Sequence, residues 1–490
     1  MLIKKPPVVV VLGHIDHGKT TLLDYIRKTN VTAKEAGGIT QSIGAYQIKL
    51  KASEAKKIEA QITFIDTPGH EAFSKMRSHG ARAGDIALLV IAADEGVKPQ
   101  TIDAIKDIKE AKLPFIVVLN KIDKPEANPQ KVKKELTQHE VFVEGFGGEV
   151  PCLEISAKTG KGVSELLELI LLMAEMEELK ADPEKPASGL VIASRLDSKK
   201  GITATLVIQE GTLRTGEWVK LQTTYGKIRS MDDFTGKHVA GALPSDPVGV
   251  LGFKELPEVG ERFLAVSSQE EASREILPAA PEILPQKLMT GEEKTIVKLV
   301  LKAGEKASLE ALSTLLASLQ SQHPDIALQV ISRGVGNISL RDTELAKEFR
   351  ASILGFGVVI PGALKVPALQ EKVVIKCFPL IYDLPQIVKE IVASVSKPQG
   401  EIKEPSELTV LAIFGKSKEG QVIGGKVTKG AVKKGTLLSI KRDENIVGKG
   451  KVVNLQHLKK DVTSVEAGKE CGILFGGEGE VQVGDILTEN

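Results

Sequence analysis

Cysteine is scarce in this chain: Cys152, Cys377 and Cys471 are the three among 490 residues, far apart and without a C-x-x-C spacing. That excludes a disulfide framework and a cysteine-built zinc site, and leaves buried thiols of a reducing compartment as the expectation. Aromatic residues make up only 4%, with a single tryptophan, Trp218, expected in a core rather than stacked on a ligand. Charge of one sign is missing as well. Lys and Arg number 65 against 64 Asp and Glu, so no overall field draws a polyanion, and any nucleic-acid contact must come from a local patch. No hydrophobic run approaches the roughly 20 residues that span a membrane. Lys4-Lys5-Pro6-Pro7 and the five apolar residues after it are too short for a secretion signal. The expectation is a cytoplasmic chain with no membrane partner. Its length allows three or four domains, and 42% hydrophobic with 26% charged residues is ordinary for globular chains.

What is present begins with Gly13-His14-Ile15-Asp16-His17-Gly18-Lys19-Thr20, a G-x-x-x-x-G-K-[ST] run between the apolar Val8–Leu12 and a helical pattern from Thr20 to Lys28. Phosphate oxygens need closely approaching backbone N–H groups, which glycine permits because no Cβ intervenes, and a helix N-terminus that attracts anions. Lys19 is placed to reach the β- and γ-phosphates, and the Thr20 hydroxyl to bind Mg²⁺.

Apolar strands at Val8–Leu12, Gln61–Ile65, Ile86–Ala92, Phe115–Leu119 and Cys152–Ile155 alternate with helical patterns at His70–Arg82, Gln100–Ala111 and Val163–Met173. That rhythm predicts a parallel sheet with helices on both faces and a ligand at the carboxyl ends of its strands. The distinctive residues fall at those ends. Asp66-Thr67-Pro68-Gly69-His70 offers a carboxylate to Mg²⁺ through water and the Gly69 amide to a γ-phosphate, with His70 near an attacking water. Asn120-Lys121-Ile122-Asp123 lets Asp123 accept from N1–H and N2–H₂ of guanine, donors that adenine lacks. Ser156-Ala157-Lys158 can close over the base from the other side. The polar segment Thr29–Gln41 can order around a γ-phosphate, with Thr40 as a second metal hydroxyl. Together these residues predict a GTP/GDP site with Mg²⁺.

Past the charged, proline-bearing Ala181–Pro186, short alternating runs broken by Gly and Pro read as all-β. An internal echo follows. Gly211–Gly216 before Trp218-Val219 matches Gly430–Gly435 before Leu437-Leu438, and Val259-Gly260-Glu261 matches Val483-Gly484-Asp485, so one barrel is expected twice. Between the copies, strands at Thr295–Leu301, Ala327–Ser332, Ser352–Gly357 and Val373–Cys377 alternate with helices at Ser308–Ser318, Arg341–Phe349 and Leu384–Ser396, a three-layer pattern with no phosphate loop or nucleophile constellation. The fold class is therefore multidomain α/β and β: a P-loop GTPase domain over 1–180, a β-barrel over 181–275, an α/β/α sandwich over 285–397 and a second β-barrel over 400–490. Gly415–Lys460 carries twelve Lys/Arg against three Asp/Glu, a net +9 that a solvated face or an RNA backbone would explain, whereas Asp461–Asn490 is net −6.

Gly-His-Ile-Asp-His-Gly-Lys-Thr-Thr-Leu over 13–22 with Asp-Thr-Pro-Gly-His over 66–70 resembles the translation GTPases. Glu35-Ala36-Gly37-Gly38-Ile39-Thr40-Gln41 and Asp66–Phe73 resemble bacterial translation initiation factor two within that class, where elongation factor Tu and its relatives show Arg-Gly-Ile-Thr. The resemblance implies a GTP site of Asp16, His17, Gly18, Lys19, Thr20, Thr21, Gly69, Asn120, Lys121, Asp123, Ser156, Ala157 and Lys158. It implies metal contacts from Thr20, Thr40 and Asp66, and His70 as the catalytic residue, flanked by Ile15 and Ile39. With no arginine finger identifiable, ribosome-stimulated hydrolysis of GTP to GDP and phosphate is expected. The first barrel would touch the small ribosomal subunit, the sandwich would relay the switch state, and the last barrel would bind formylmethionyl initiator tRNA through Gly425, Lys459, Glu470, Cys471 and Gly472. The implied protein is a monomer acting on ribosomal subunits, in a form without the long charged N-terminal extension of many relatives. Two other readings stay open: an elongation-type carrier of a specialised aminoacyl-tRNA, and a nucleotide-binding scaffold that never hydrolyses.

Overall fold

The structure, a computed structural model, describes residues 1–29, 40–50, 60–277, 295–323, 326–362, 373–396, 406–417, 420–442, 445–458 and 460–489. These residues fall into two compact units, Met1–Val392 and Ala393–Asn490.

The first unit starts with a six-stranded sheet. In chain order its strands are β1 (Val8–Gly13), β2 (Gly44–Leu50), β3 (Ala60–Asp66), β4 (Ile86–Ala92), β5 (Phe115–Asn120) and β6 (Cys152–Glu154), arranged β2-β3-β1-β4-β5-β6. All neighbours are parallel except β2, which runs antiparallel to β3 at the edge. Every residue of β1 and β4 is buried, the unbroken apolar run of strands covered on both faces. Alternation along β1 divides the core. Val8, Val10 and Leu12 pack with Met76 of α2 (Ser74–Ala83) and Ala104, Ile105 and Ile108 of α3 (Pro99–Ala111). Val9 and Val11 pack instead with Leu22 and Leu23 of α1 (Lys19–Arg27) and Leu166 and Ile170 of α5 (Val163–Met176). A further helix, α4 (Pro129–Thr137), follows β5.

The two barrels have one topology. In the first, β7 (Ser188–Asp197), β8 (Gly201–Glu210), β9 (Trp218–Lys220), β10 (Tyr225–Asp233), β11 (His238–Val239), β12 (Pro247–Phe253) and β13 (Arg262–Val266) run β9-β13-β7-β8-β12-β10-β11, closed by pairing of β9 with β10. The second unit repeats that order with Glu407–Ser417, Gly420–Lys429, Leu437–Arg442, Asn445–His457, Lys460–Asp461, Glu470–Glu478 and Ile486–Thr488. The echo in the sequence is an echo of backbone: Gly216 and Gly435 turn at φ 96° and 94°, and Gly260 and Gly484 at 85° and 98°, values an L side chain resists.

Between the barrels, β14 (Thr295–Ala303), α6 (Lys306–Gln322), β15 (Ile326–Val335), α7 (Leu340–Phe349), β16 (Ser352–Phe356), β17 (Ile375–Phe378) and α8 (Leu384–Ser396) build a parallel sheet in the order β15-β14-β16-β17. Leu299 and Leu301 pack with Leu312 of α6 and Leu384 of α8, while Val300 packs with Ala346 of α7, which makes three layers.

Three expectations are corrected. Trp218 is half-buried against Tyr225 while its neighbour Val219 fills the core, because alternation on β9 gives the inward place to valine. Of the thiols expected inside, Cys471 is buried, Cys152 half-buried and Cys377 exposed, the last on the sheet's edge strand β17. The helix read from His70 begins at Ser74, after a 3-10 turn over Glu71–Phe73 that His70 caps.

Candidate functional site

Between β1 and α1 the backbone takes conformations that suit an anion. Gly13 lies at φ 143°, where a Cβ would stand 2.3 Å from the Val90 carbonyl oxygen, and Gly18 at φ 87°, where it would stand 2.3 Å from Asn120 Nδ2. Gly18 caps α1 with no side-chain acceptor, so the first N–H groups of the helix face the cleft without a capping side chain. Lys19 is buried, and its Nζ donates to the carbonyls of Gly13 at 2.9 Å and His14 at 2.8 Å. Burial lowers its pKa to about 8, against the pull of the Asp66 carboxylate.

Across the cleft three oxygens converge. Thr20 Oγ1 and Thr40 Oγ1 are 2.6 Å apart, and Thr40 Oγ1 donates to Asp66 Oδ2 at 3.4 Å. Hydroxyls beside a carboxylate are the hard oxygen donors that Mg²⁺ takes. Gly69 leaves room that any other residue would fill: a Cβ there would lie 2.7 Å from Ile15 N and 2.8 Å from Lys19 Nζ. The residues present therefore fit a phosphate group with its cation. Ile15, Asp16, Gly18, Lys19, Thr20, Thr21, Thr40, Gly69, His70 and Phe73 line this open cleft. Ile39 lies outside the described residues.

His70 Nδ1 accepts from the Ala72 N–H at 3.0 Å, which leaves the ring proton on Nε2. Burial holds the imidazole below its usual pKa, so the ring is a neutral donor at Nε2 and cannot take up a proton there in this arrangement. Its face environment is the Tyr382 ring, edge-on at 4.8 Å.

Asn120, Asp123 and Ser156 join the loop from the ends of β5 and β6. Asn120 Nδ2 donates to the His17 carbonyl at 2.9 Å and its Oδ1 accepts from the Ala157 N–H at 2.9 Å, so a buried amide straps the two loops together. Exposed Asp123 accepts from Ser156 Oγ at 2.7 Å, a bond that holds its carboxyl below the usual range. Lys121 Nζ pairs with Glu95 at 3.0 Å, and Lys158 is exposed at the rim. His17 is fully buried, with Nε2 3.9 Å from Glu95 Oε2, and burial first, then His14 and Lys19, push its pKa down to about 3. His14, His17 and Glu95 hold ligand-type atoms within 4.8 Å of one another, but a cation there would face the ammonium groups of Lys19 and Lys121.

The sequence reading gave no role to Arg77, Gln100, Gln41 or Tyr382. Arg77, wholly buried, donates to the carbonyls of Gly69 at 3.3 Å and His70 at 2.7 Å and pairs with Asp107 at 3.4 Å. Gln100 Oε1 accepts from the Ile15 N–H at 3.1 Å. A charged residue on the apolar face of α2 was the available signal for Arg77. In the second unit, Gly425 faces Cys471 across paired strands, with Gly424 opposite Gly472 and Lys426 opposite exposed Glu470. A Cβ at Gly425 would strike Leu408 Cδ2 at 2.4 Å, Cys471 points into the barrel core, and Lys459 lies outside the described residues.

A parallel sheet, an anion cradle at a helix N-terminus and an aspartate loop beside it define a phosphate-loop nucleotide-binding domain, and the family description "Elongation factor Tu GTP binding domain" matches residues 4–176. "Elongation factor G domain 2" matches 186–266 and "Translation-initiation factor 2" matches 281–389. A translation initiation factor IF-2 of Thermotoga sp. (strain RQ2) is 41% identical over 500 residues, covering 99% of this chain and 71% of that protein. The IF-2 of Bartonella tribocorum is 40% identical over 99% of this chain and 58% of its own length. This chain belongs to the translation initiation factor IF-2 family. It spans about three fifths of the length of the Bartonella relative. The crystal structure of GDP-bound aIF5B from Aeropyrum pernix is 25% identical, covers 100% of this chain and 92% of its own, and has a TM-score of 0.43. Among the described residues no helix is long and apolar enough to cross a membrane.

Proposed function

We propose that this chain is a GTP-hydrolysing translation initiation factor, acting as a monomer in the cytoplasm. It would promote binding of formylmethionyl initiator tRNA to the small ribosomal subunit and then subunit joining. The convergence of Thr20, Thr40 and Asp66 beside Lys19 and Gly69 is the observation that carries the reading. Asp16, Gly18, Lys19, Thr20, Thr21 and Gly69 bind the phosphates, while Thr20, Thr40 and Asp66 hold Mg²⁺, which supplies positive charge against the γ-phosphate oxygens. Asp123 accepts from guanine, supported by Ser156 and with Lys158 beside the base. His17, Asn120, Lys121 and Ala157 shape the loops around it.

Hydrolysis is attack of water on the γ-phosphorus. His70 orients that water by donating from Nε2, and Lys19 meets the negative charge that develops. Because the His70 ring proton sits on Nε2, the proton leaving the water goes to a phosphate oxygen rather than to the imidazole. In the second barrel the acylated tRNA end would be taken by the strands that carry Gly425, Glu470, Cys471 and Gly472, with Lys459 and the basic run before it as the residues that the family resemblance adds. Gly425 and Cys471 shape its strands rather than offering side chains.

The test is phosphate release from GTP by the full chain, with and without assembled ribosomal subunits and initiator tRNA. Slow hydrolysis alone and a large stimulation by the complete assembly are expected. Equal calorimetric uptake of ATP and GTP, or of neither, overturns the reading.

A further inference from the structure

In doubly wound sheets the crevice past the carboxyl ends of the strands is where ligands bind. In the sandwich of this chain, the loop after β17 is occupied by the chain's own first domain. Gln41 Nε2 donates to the Pro379 carbonyl at 3.0 Å, and Gln41 Oε1 accepts from the Ile381 N–H at 3.0 Å. Both ends of the amide are used, and the partners are 338 and 340 residues away in sequence. The same loop carries Tyr382, edge-on to His70 at 4.8 Å. Gln41 follows Thr40 directly, and consecutive Cα atoms are fixed about 3.8 Å apart, so a clamp on Gln41 also confines Thr40. Thr40 is the residue whose hydroxyl stands 2.6 Å from Thr20.

We infer that Gln41 is a positioning residue: its amide, clasped by Pro379 and Ile381, fixes the Thr40 hydroxyl for a γ-phosphate and its cation without touching either. This rests on the reading of the cleft as a GTP site. A nucleotide with a γ-phosphate gains from Thr40 in place, whereas one lacking it does not. The coupling is reciprocal, so such a nucleotide tightens the clasp by the factor by which the clasp tightens nucleotide binding. The two neutral hydrogen bonds together set the expected size at about tenfold.

The experiment uses the full chain with Mg²⁺ and measures affinities for a non-hydrolysable GTP analogue and for GDP. Gln41→Ala and Gln41→Glu, the second keeping an acceptor for the Ile381 N–H but setting a carboxylate against the Pro379 carbonyl, are expected to weaken the analogue about tenfold and to leave GDP unchanged. Independently of any variant, hydrogen exchange at the Ile381 amide of the unaltered chain slows more with the analogue than with GDP. Equal effects on both nucleotides, no effect on either, or identical Ile381 exchange in the two states overturns the role of Gln41 while leaving GTP binding standing. An unaltered chain that binds neither nucleotide overturns the GTP reading first and this inference with it.

Discussion

Single residues in the cleft are set by what surrounds them more than by their own chemistry. His17 is neutral because desolvation, with His14 and Lys19 beside it, outweighs the Val90 backbone that favours the charged ring, and its value of about 3 compares with 6.5 for a free histidine. Between pH 6.5 and 3 the unfolded chain therefore takes up a proton that the folded chain refuses. Stability from this group is complete above pH 6.5 and declines as pH falls, by up to about 1.4 kcal/mol per unit. His17→Asn removes that dependence, so urea midpoints measured from pH 7 to 4 should fall less steeply in the variant. Parallel slopes would show that His17 is not the refused proton. The sequence pointed to the glycines, Lys19, Asp66 and Asp123 by residue type and spacing, and the structure places Gly18, Lys19 and Gly69 on one cleft with Asp66 bonded to Thr40 beside it. Arg77 and Gln41 were not legible, because they serve carbonyls and amides, which every residue has. Nothing in a sequence says which backbone groups will be left for a side chain to satisfy.

Elements buried on both faces, β1 and β4, are legible as apolar runs, while the edge strand β2 is not. Only Tyr46 in Gly44–Leu50 is buried, so its composition resembles a loop. Helix α4 was missed for a similar reason, with Val132 and Leu136 its only buried pair, although Asn128 as cap and Pro129 at the first turn announced it. Strand β3 shows how an element joins two domains. Thr63 Oγ1, fully buried, donates to the Ser245 carbonyl at 2.7 Å, while Ser245 Oγ donates to the Pro6 carbonyl at 2.5 Å. Ser245 sits at φ 75° to do so, a conformation a non-glycine residue keeps only when its neighbours hold it. Thr63→Val preserves shape and deletes the donor, leaving a buried carbonyl short of its partner at a cost of about 1–3 kcal/mol. Denaturant unfolding should register that loss, and a smaller one for Gln47→Ala, whose amide reaches Asp246 at 3.0 Å from a more exposed position. A neutral Thr63→Val would mean the barrel loop is held by packing alone.

Across the whole molecule the same barrel is used in two ways. The first copy shares a unit with the nucleotide cleft and is tied to it through Thr63, Gln47 and Ser245, and the apolar cluster there runs from Val8 to Ile391. Both copies also have a cluster of their own, Ala187 to Ala265 in the first and Leu408 to Leu487 in the second, but only residues of the first, Leu190, Ile192, Val207 and Val259, also join the cluster that reaches the nucleotide domain. Two compact units, Met1–Val392 and Ala393–Asn490, imply two cooperative transitions on heating rather than one. A nucleotide stabilises only the transition of the unit that binds it, by about 2.7 kcal/mol at a hundredfold excess over its Kd. Calorimetry of the full chain with rising GDP should therefore move one transition upward and leave the other in place. The stationary one is identified by Val452→Ala, which opens a cavity in the second core and lowers that transition alone. If both transitions climb together with GDP, the unfolding of the two units is coupled rather than independent.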